Sequence, residues 1–136
     1  MPSFVCTALD RLNSLGYEAY IVGGCVRDAF LKKTPYDWDI TTSAKPNEIS
    51  AAFSDYKTID TGIKHGTVAV IIEGEILEIT TMRVDGEYSD NRHPDRVSFT
   101  ENINLDLARR DFTVNAMAYS PLTGVVDPFG GEKDLN

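Results

Sequence analysis

The sequence predicts an α+β fold rather than a doubly wound parallel sheet. Predicted strands outnumber predicted helices, and the two kinds of element follow one another in a mixed order. Two strand-like segments, 67–72 and 75–82, are joined by Glu73 and Gly74, which is typical of a β-hairpin. The length of 136 residues fits one domain and is enough to bury a core without disulfides.

The first part of the chain predicts a helix, a strand and a second helix. Apolar residues recur at helical spacing over residues 4–15, and Gly16 follows as a residue that can end a helix. Residues 18–22, with the sequence EAYIV, form a short apolar run that predicts a strand. The glycine pair 23–24 interrupts this run, and helical spacing resumes over residues 25–33.

The middle of the chain predicts strands separated by one helix and one loop. Residues 37–42, DWDITT, favour a strand, and residues 45–53 favour a helix with Pro46 near its first turn. Residues 83–96 are polar, contain glycine and proline and lack periodicity, so we predict a loop there. A short strand is predicted over residues 97–100.

The last part of the chain predicts a partly helical segment and a final strand. Residues 104–119 have helical character in parts, with apolar side chains that can face a core while Arg109 and Arg110 project outward. Residues 124–135 predict a strand that runs into a turn.

The composition is that of an ordinary globular domain, with 42% hydrophobic and 25% charged residues. The formal net charge is −8, whereas proteins that wrap nucleic acid are normally basic, so any RNA contact is expected to be local or to use other regions. Cys6 and Cys25 form no metal-type cluster, which predicts reduced thiols in a reducing compartment. No secretory signal and no membrane-spanning stretch is recognisable, so by exclusion a cytoplasmic location and no membrane partner are predicted.

Asp37 and Asp39 lie on either side of Trp38 in the predicted strand. Because side chains alternate along a strand, the two carboxylates face one way and the indole faces the other. Their Cα atoms would be about 6.5 Å apart, which allows the carboxylates to share a hard divalent cation such as Mg²⁺. An exposed strand edge with solvated aspartates is the alternative, although two like charges on one face repel each other.

The segment VGGCVRD, residues 22–28, places two glycines between a strand and a helix. Gly23 and Gly24 let backbone N–H groups approach a ligand closely, and a helix N-terminus favours anions. Arg27 lies in the first helical turn, where a cation opposes the helix dipole, and contact with a phosphate would explain its position. A tight turn with Arg27 paired to Asp28 is the alternative, and both stay open. The pattern is neither GxGxxG nor GK[ST].

Five motifs resemble the head domain of the class II tRNA nucleotidyltransferases, the CCA-adding enzymes, and of the related bacterial poly(A) polymerases. They are IVGGCVRDAFLKKTPYDWDITTSAKPNEI, TGIKHGTVAV, EITTMR, DLARRDFTVNAMAY and DPFGG, which follow one another in this order between residues 21 and 131, so that the resemblance covers nearly the whole chain. The resemblance implies a nucleotidyltransferase fold similar to the palm of DNA polymerase β, with a mixed, mostly antiparallel sheet flanked by helices. It also implies Mg²⁺-dependent addition of CMP and AMP from CTP and ATP to the 3′ end of tRNA, with release of pyrophosphate.

The resemblance implies roles for the residues of the first motif. Asp37 and Asp39 would carry Mg²⁺ and activate the 3′-hydroxyl of the RNA. Gly24 and Arg27 would contact the incoming nucleoside triphosphate, and Gly23 would support the turn.

The later motif DLARRDFTVNAMAY adds further residues to the implied site, and strand alternation adds one more candidate. Arg110 would reach the triphosphate, and the residues implied to organise the same pocket are Arg109, Asp111 and Asn115. Glu78 is a candidate third carboxylate, because its apolar neighbours Leu77 and Ile79 leave it on the opposite face of a strand. Plain solvent exposure of Glu78 is the alternative.

The chain departs from the family by lacking the later E-D-x-x-R-x-x-R element that selects CTP and ATP, and the helical regions that hold tRNA. Residues 1–136 are therefore expected to be the catalytic head of a longer polypeptide, with the tRNA 3′ end bound mainly by regions outside this chain. The stretch TGIKHGTVAV favours the tRNA enzyme over the poly(A) branch. A poly(A) polymerase, an A-only or CC-only tRNA enzyme and a non-catalytic nucleotide-binding module stay open as alternatives.

Overall fold

A seven-stranded sheet is the centre of the part of the chain that the structure describes. The computed structural model describes residues 2–32, 38–62, 66–85, 97–110 and 116–134. The helices in these ranges are α1 (Ser3–Ser14), α2 (Gly24–Phe30), α3 (Pro46–Ala52), α4 (Ile103–Ala108) and α5 (Gly131–Asp134). The strands are β1 (Ala19–Val22), β2 (Asp39–Thr42), β3 (Lys57–Gly62), β4 (Thr67–Ile72), β5 (Glu75–Thr81), β6 (Arg83–Asp85), β7 (Val97–Phe99), β8 (Ala118–Ser120) and β9 (Gly124–Val126). Within these ranges we find no helix with the length and apolar character that crossing a membrane requires.

The strands of the main sheet lie in the order β3-β4-β5-β2-β1-β8-β9, and β6 and β7 form a separate two-stranded sheet. Strands β2 and β5 run parallel, whereas the other paired strands run antiparallel. This arrangement confirms the predicted α+β class with a mixed, mostly antiparallel sheet. Strand β2 lies inside the sheet and is hydrogen-bonded on both sides, by β1 and by β5.

The two faces of the main sheet are covered differently. Helices α1, α2 and α3 pack on one face, where they bury alternate strand residues such as Ile21, Ile40 and Ile79. On the other face, a smaller cluster that includes Tyr20, Val22 and Leu107 joins β1 and β8 to helix α4. Towards β5 the residues of this second face, Ile76 and Glu78, are exposed. The second face therefore has an open side, which is where polar functional groups are accessible.

Helix α1 and the β4–β5 hairpin confirm the corresponding predictions. The buried side chains of α1 are Val5, Ala8, Leu9 and Leu12, at the expected helical spacing. Gly16 ends the helical region with a φ of 92°, and the Tyr17 N–H donates to the Leu12 carbonyl at 3.1 Å. The hairpin turn places Glu73 and Gly74 at φ values of 53° and 77°, as a type I′ turn requires.

Residues 83–96 and 104–119 differ in part from their predictions. Arg83–Asp85 form strand β6, because a non-local partner, β7, supplies their backbone hydrogen bonds. In the second segment the described helix ends at Ala108, and Ala118–Ser120 form strand β8 through antiparallel pairing with β1. Residues 86–96 and 111–115 lie outside the described residues.

One unpredicted strand and the ends of two other elements also differ from the sequence-based predictions. Strand β3 was not predicted, because its sequence KTIDTG is mostly polar, and it is an edge strand that pairs with β4 alone. The helix predicted over residues 25–33 is described as α2, which starts at Gly24 and ends at Phe30. The strand predicted over residues 37–42 is described from Asp39 onward, and residue 37 lies outside the described residues.

We expect the substitution Gly66→Ala to destabilise the fold more than Gly74→Ala does. Both glycines have positive φ, 84° and 77°, so alanine at either position should cost about 1–2 kcal/mol. A Cβ atom on Gly66 would also lie 2.8 Å from Cε1 of Phe99, whereas nothing lies within 4 Å of the equivalent position on Gly74. Urea unfolding of the two variants measures the difference in free energy of unfolding. Equal losses would contradict close packing of Phe99 on Gly66.

Candidate active site

Asp39 is the first residue of β2 and its side chain is exposed on the open side of the sheet. The next residue, Ile40, is buried under the helices on the opposite face. In the strand register Asp39 lies opposite Val22 of β1 on one side and opposite Glu78 of β5 on the other. The predicted partner Asp37 lies outside the described residues, so its place beside Asp39 stays a prediction.

Glu78 supplies a second carboxylate beside Asp39. The two residues are direct register partners in the parallel pair β2–β5, and neighbouring strands lie about 4.8 Å apart. Leu77 and Ile79 are fully buried while Glu78 is exposed, which confirms the orientation expected from the sequence. A cleft of about 330 Å³ lies in front of the carboxylates and is lined by Trp38, Asp39, Ile76 and Glu78.

The donor atoms of this cleft fit a hard divalent cation. Mg²⁺ prefers carboxylate oxygens and fills its remaining positions with water and phosphate oxygens, for which an open cleft leaves room. Among the residues that the structure describes, no group of three Asp, Glu, His or Cys side chains is placed to hold a metal ion. Asp39 and Glu78 would therefore share the ion with Asp37, water or substrate oxygens.

The glycine turn between β1 and α2 lies at the other side of Asp39. Gly23 has φ 78° and ψ −141°, a backbone conformation that side chains rarely adopt, and its N–H donates to the Met117 carbonyl at 3.4 Å. Arg27 lies against the turn, because a Cβ atom on Gly24 would be 3.2 Å from its Nη2. The Arg27 Nε also donates to Asp28 Oδ1 at 3.3 Å. The structure thus contains the Arg27–Asp28 pair and keeps the guanidinium beside the glycines.

Arg110 also reaches the glycine turn, from the end of α4. A Cβ atom on Gly23 would be 3.8 Å from Arg110 Nη1. The other terminal nitrogen, Nη2, donates to Asp106 Oδ2 at 3.3 Å, and Arg109 Nε donates to Asp106 Oδ1 at 3.3 Å. Asp106 is fully buried and its Oδ1 also accepts the backbone N–H of Arg83 at 2.9 Å. The structure therefore brings Gly23 and Arg110 close together, while their predicted roles at a triphosphate stay predictions.

Several neighbouring charges, including that of Asp39, affect the pKa of the Arg110 guanidinium. Burial lowers the pKa of the Arg110 guanidinium, the Asp106 carboxylate raises it, the neighbouring Arg109 lowers it, and Asp39 raises it. An arginine stays protonated despite such shifts. Asp39 and Arg110 are therefore close enough for their charges to interact.

Asp106 is the residue of this site that the sequence-based prediction missed. A signal for it is present in DLARRD, where an acidic residue precedes two arginines by three and four positions. Side chains at this spacing are neighbours on a helix, and the ion pairs to Arg109 and Arg110 have this spacing in the structure. Asp111 and Asn115, which were predicted for the same pocket, lie outside the described residues.

Thr41 and Thr42 are neighbouring buried threonines of β2 with different hydrogen bonding. The Thr42 hydroxyl donates to the Glu18 carbonyl at 2.6 Å and accepts the Ala44 N–H at 3.3 Å. Thr41 lies on the same face as Asp39 and is 1% exposed, and among the described residues its hydroxyl has no hydrogen-bond partner. A buried hydroxyl in this state lowers stability.

Comparison with known proteins gives a consistent result. Residues 19–136 match the family model described as the poly A polymerase head domain. A CCA-adding enzyme from Lactobacillus gasseri is 55% identical over 128 residues, which are 94% of this chain and 32% of that protein.

Two solved structures are also similar. The CCA-adding enzyme of Bacillus stearothermophilus in complex with CTP gives a TM-score of 0.86 at 40% identity, over 99% of this chain and 32% of that chain. A tRNA nucleotidyltransferase complexed with a primer tRNA and an incoming ATP analogue gives a TM-score of 0.69 at 29% identity, over 94% of this chain and 36% of that chain. The chain therefore spans about a third of the length of these relatives.

We expect Thr41→Val to leave the free energy of unfolding unchanged or to raise it, because it removes a buried hydroxyl that has no described partner. Thr42→Val should instead lower it by about 1–3 kcal/mol, because the buried Ala44 N–H loses its acceptor and the Glu18 carbonyl keeps only the Ser43 N–H as a donor. Urea unfolding of both variants measures the free energy of unfolding, and the two substitutions are compared at adjacent residues of one strand. Similar losses in the two variants would contradict the difference in hydrogen bonding.

Proposed function

The chain belongs to the family of poly A polymerase head domains, and we propose that it is the catalytic head of a tRNA nucleotidyltransferase. The proposed reaction is template-independent transfer of CMP and AMP from CTP and ATP to the 3′ end of tRNA, with release of pyrophosphate. The names of the similar proteins support this reaction and these substrates. In this proposal residues 1–136 form the head, and nucleotide selection and most tRNA contacts belong to regions outside this chain.

The observation that carries the proposal is the arrangement around Asp39. The carboxylates of Asp39 and Glu78 are paired across two strands and face an open cleft. On the other side of Asp39, its register partner Val22 leads into the Gly23 turn, and Arg110 lies beside that turn. Anionic and cationic groups in this order suit a cation bound between a hydroxyl and a polyphosphate.

We infer that Asp39 and Glu78, together with Asp37, hold a divalent cation, and more specifically Mg²⁺. Their oxygens are the ligand type that this ion prefers. A bound Mg²⁺ would supply a lowered pKa for the attacking 3′-hydroxyl and shielding of the charge on the departing pyrophosphate. The part played by the chain is to fix the carboxylates, and the register of β2 and β5 does this for Asp39 and Glu78.

We infer that the triphosphate lies on the β1 side of Asp39, against the glycine turn. Gly23 and Gly24 carry no side chains that would crowd the turn, and Arg27 and Arg110 place guanidinium groups beside them. Guanidinium groups bind phosphate oxygens through charge-assisted hydrogen bonds. Roles for Arg109, Asp111 and Asn115 in the same pocket stay predictions.

Poly(A) addition is the second candidate, because the matching family model carries that description and the chemistry is the same. Poly(A) addition differs from the proposed reaction in the acceptor RNA. A-only and CC-only tRNA enzymes share the tRNA acceptor but differ in the nucleotides that they add. We also infer a cytoplasmic location, in which Cys6 and Cys25, which are not joined in a disulfide, stay reduced.

Asp39→Asn is expected to lower nucleotide incorporation by roughly 10²–10³-fold or more in the complete enzyme, because it removes a charged ligand of the reacting centre. Incorporation of labelled CMP and AMP into tRNA that lacks its CCA end is the measurement. Asp55→Asn is the matched control, since Asp55 pairs with Arg11 by an exposed ion pair outside the site. Retention of incorporation by a folded Asp39→Asn protein would refute the assignment.

The choice of acceptor separates the two candidate functions. With CTP and ATP present, we expect the complete enzyme to extend tRNA that lacks its CCA end by a few nucleotides and to leave an oligo(A) primer largely unextended. Gel analysis of the labelled products measures both the length and the base composition. Long runs of AMP on oligo(A) would instead assign the chain to the poly(A) branch, and addition of CMP alone or AMP alone would assign it to a split-activity tRNA enzyme.

A further inference from the structure

Asp106 is a fully buried carboxylate at the centre of a basic cluster. It accepts hydrogen bonds from the backbone N–H of Arg83 at 2.9 Å and from the side chains of Arg109 and Arg110 at 3.3 Å each. A carboxylate is rarely buried completely unless it is paired in this way. None of the predicted roles in the nucleotide site includes this residue.

The contacts of Arg110 are divided between Asp106 and the glycine turn. Its Nη2 is bonded to Asp106, while its Nη1 lies 3.8 Å from the position of a Cβ atom on Gly23. A guanidinium group is planar and rigid, so a bond to one terminal nitrogen sets the direction of the other. The side chain of Arg110 is only 20% exposed and that of Asp106 is 0% exposed, so solvent competes little with this bond.

The adjacent Arg109 makes this restraint necessary. Two neighbouring guanidinium groups repel each other, and each donates to a different oxygen of the Asp106 carboxylate. Without the shared carboxylate the two arginines would separate towards solvent, and Arg110 would leave the glycine turn.

We propose that Asp106 is a positioning residue that holds Arg110 over the Gly23 turn, in place to receive the polyphosphate of a nucleoside triphosphate. This inference rests on the proposed function, in which Arg110 contacts that polyphosphate. Asp106 does not touch the ligand, and its effect is transmitted through the guanidinium group of Arg110. Immobilisation of this side chain before binding removes an entropic cost from the binding step.

The direction in which one substitution changes anion affinity distinguishes a positioning role from a purely electrostatic effect. Asp106→Asn removes a negative charge near an anion site, so electrostatics alone predicts tighter binding of an anion. A positioning role predicts weaker binding, by about tenfold, because Arg110 is released. Asparagine keeps an oxygen that can accept the Arg83 N–H, so the variant tests the ion pairs more than the fold.

The test is calorimetric titration of this chain with inorganic tripolyphosphate in the presence of Mg²⁺. The proteins are the unmodified chain, Asp106→Asn, Arg110→Gln and the double variant, with Asp55→Asn as a control of equal charge change at an exposed ion pair. We expect both single variants to bind about tenfold more weakly and the double variant to bind no more weakly than Arg110→Gln alone. The control should bind as the unmodified chain does.

Arg110→Lys provides a second test that leaves Asp106 in place. Lysine keeps the positive charge but lacks the fork that spans Asp106 and the glycine turn, so we expect it to bind tripolyphosphate about tenfold more weakly. Circular dichroism and thermal unfolding establish that each variant is folded. If Asp106→Asn does not fold, Arg110→Lys decides alone.

Several results would overturn the positioning role. They are equal or tighter binding by folded Asp106→Asn, additive losses in the double variant, or unmodified affinity in Arg110→Lys. A failure of the proposed function looks different: the unmodified chain would not bind tripolyphosphate at all, which would refute the nucleotide site and the role of Asp106 with it.

Discussion

The parallel pairing of β2 with β5 is the constraint on which the candidate site depends. It makes Asp39 and Glu78 direct neighbours, and the alternation of side chains along each strand turns both carboxylates away from the helices. Two exposed like charges in adjacent strands are unfavourable by themselves. Their repulsion is tolerated because the next residues along the two strands, Ile40 and Ile79, are fully buried on the opposite face and hold the register.

The arginines of the candidate site are held in a different way from the carboxylates. A buried charge, rather than strand register, fixes their positions. Asp106 binds two guanidinium groups and a backbone N–H at the start of β6. It therefore joins α4, the two-stranded sheet and the glycine turn through a single side chain. A buried carboxylate with this many donors resists displacement, because each donor would lose its partner in a region closed to water. The site thus combines carboxylates on a rigid sheet with arginines fixed by one internal acid.

Local patterns in the sequence were sufficient for features that depend on neighbouring residues. The helical spacing in α1, the Glu73–Gly74 turn and the outward direction of Glu78 were all predicted correctly. Features that depend on distant partners were not. Strand β8 exists because Ala118 pairs with Val22, whereas the sequence had predicted only a partly helical segment over residues 104–119. The spacing of Asp106 to Arg109 and Arg110 was readable, but its burial was not, because the N–H of Arg83 that binds it comes from the distant strand β6.

The pairing of β1 with β8 has a consequence for how the protein is made. It joins the beginning of the chain to its last quarter, and such contacts form late because a large loop must close first. Until residues 118–120 emerge from the ribosome, β1 is a border strand with one row of unsatisfied amides and carbonyls. A nascent chain in this interval is open to strand exchange with a second copy, so slow translation near the end of the domain would favour misassembly.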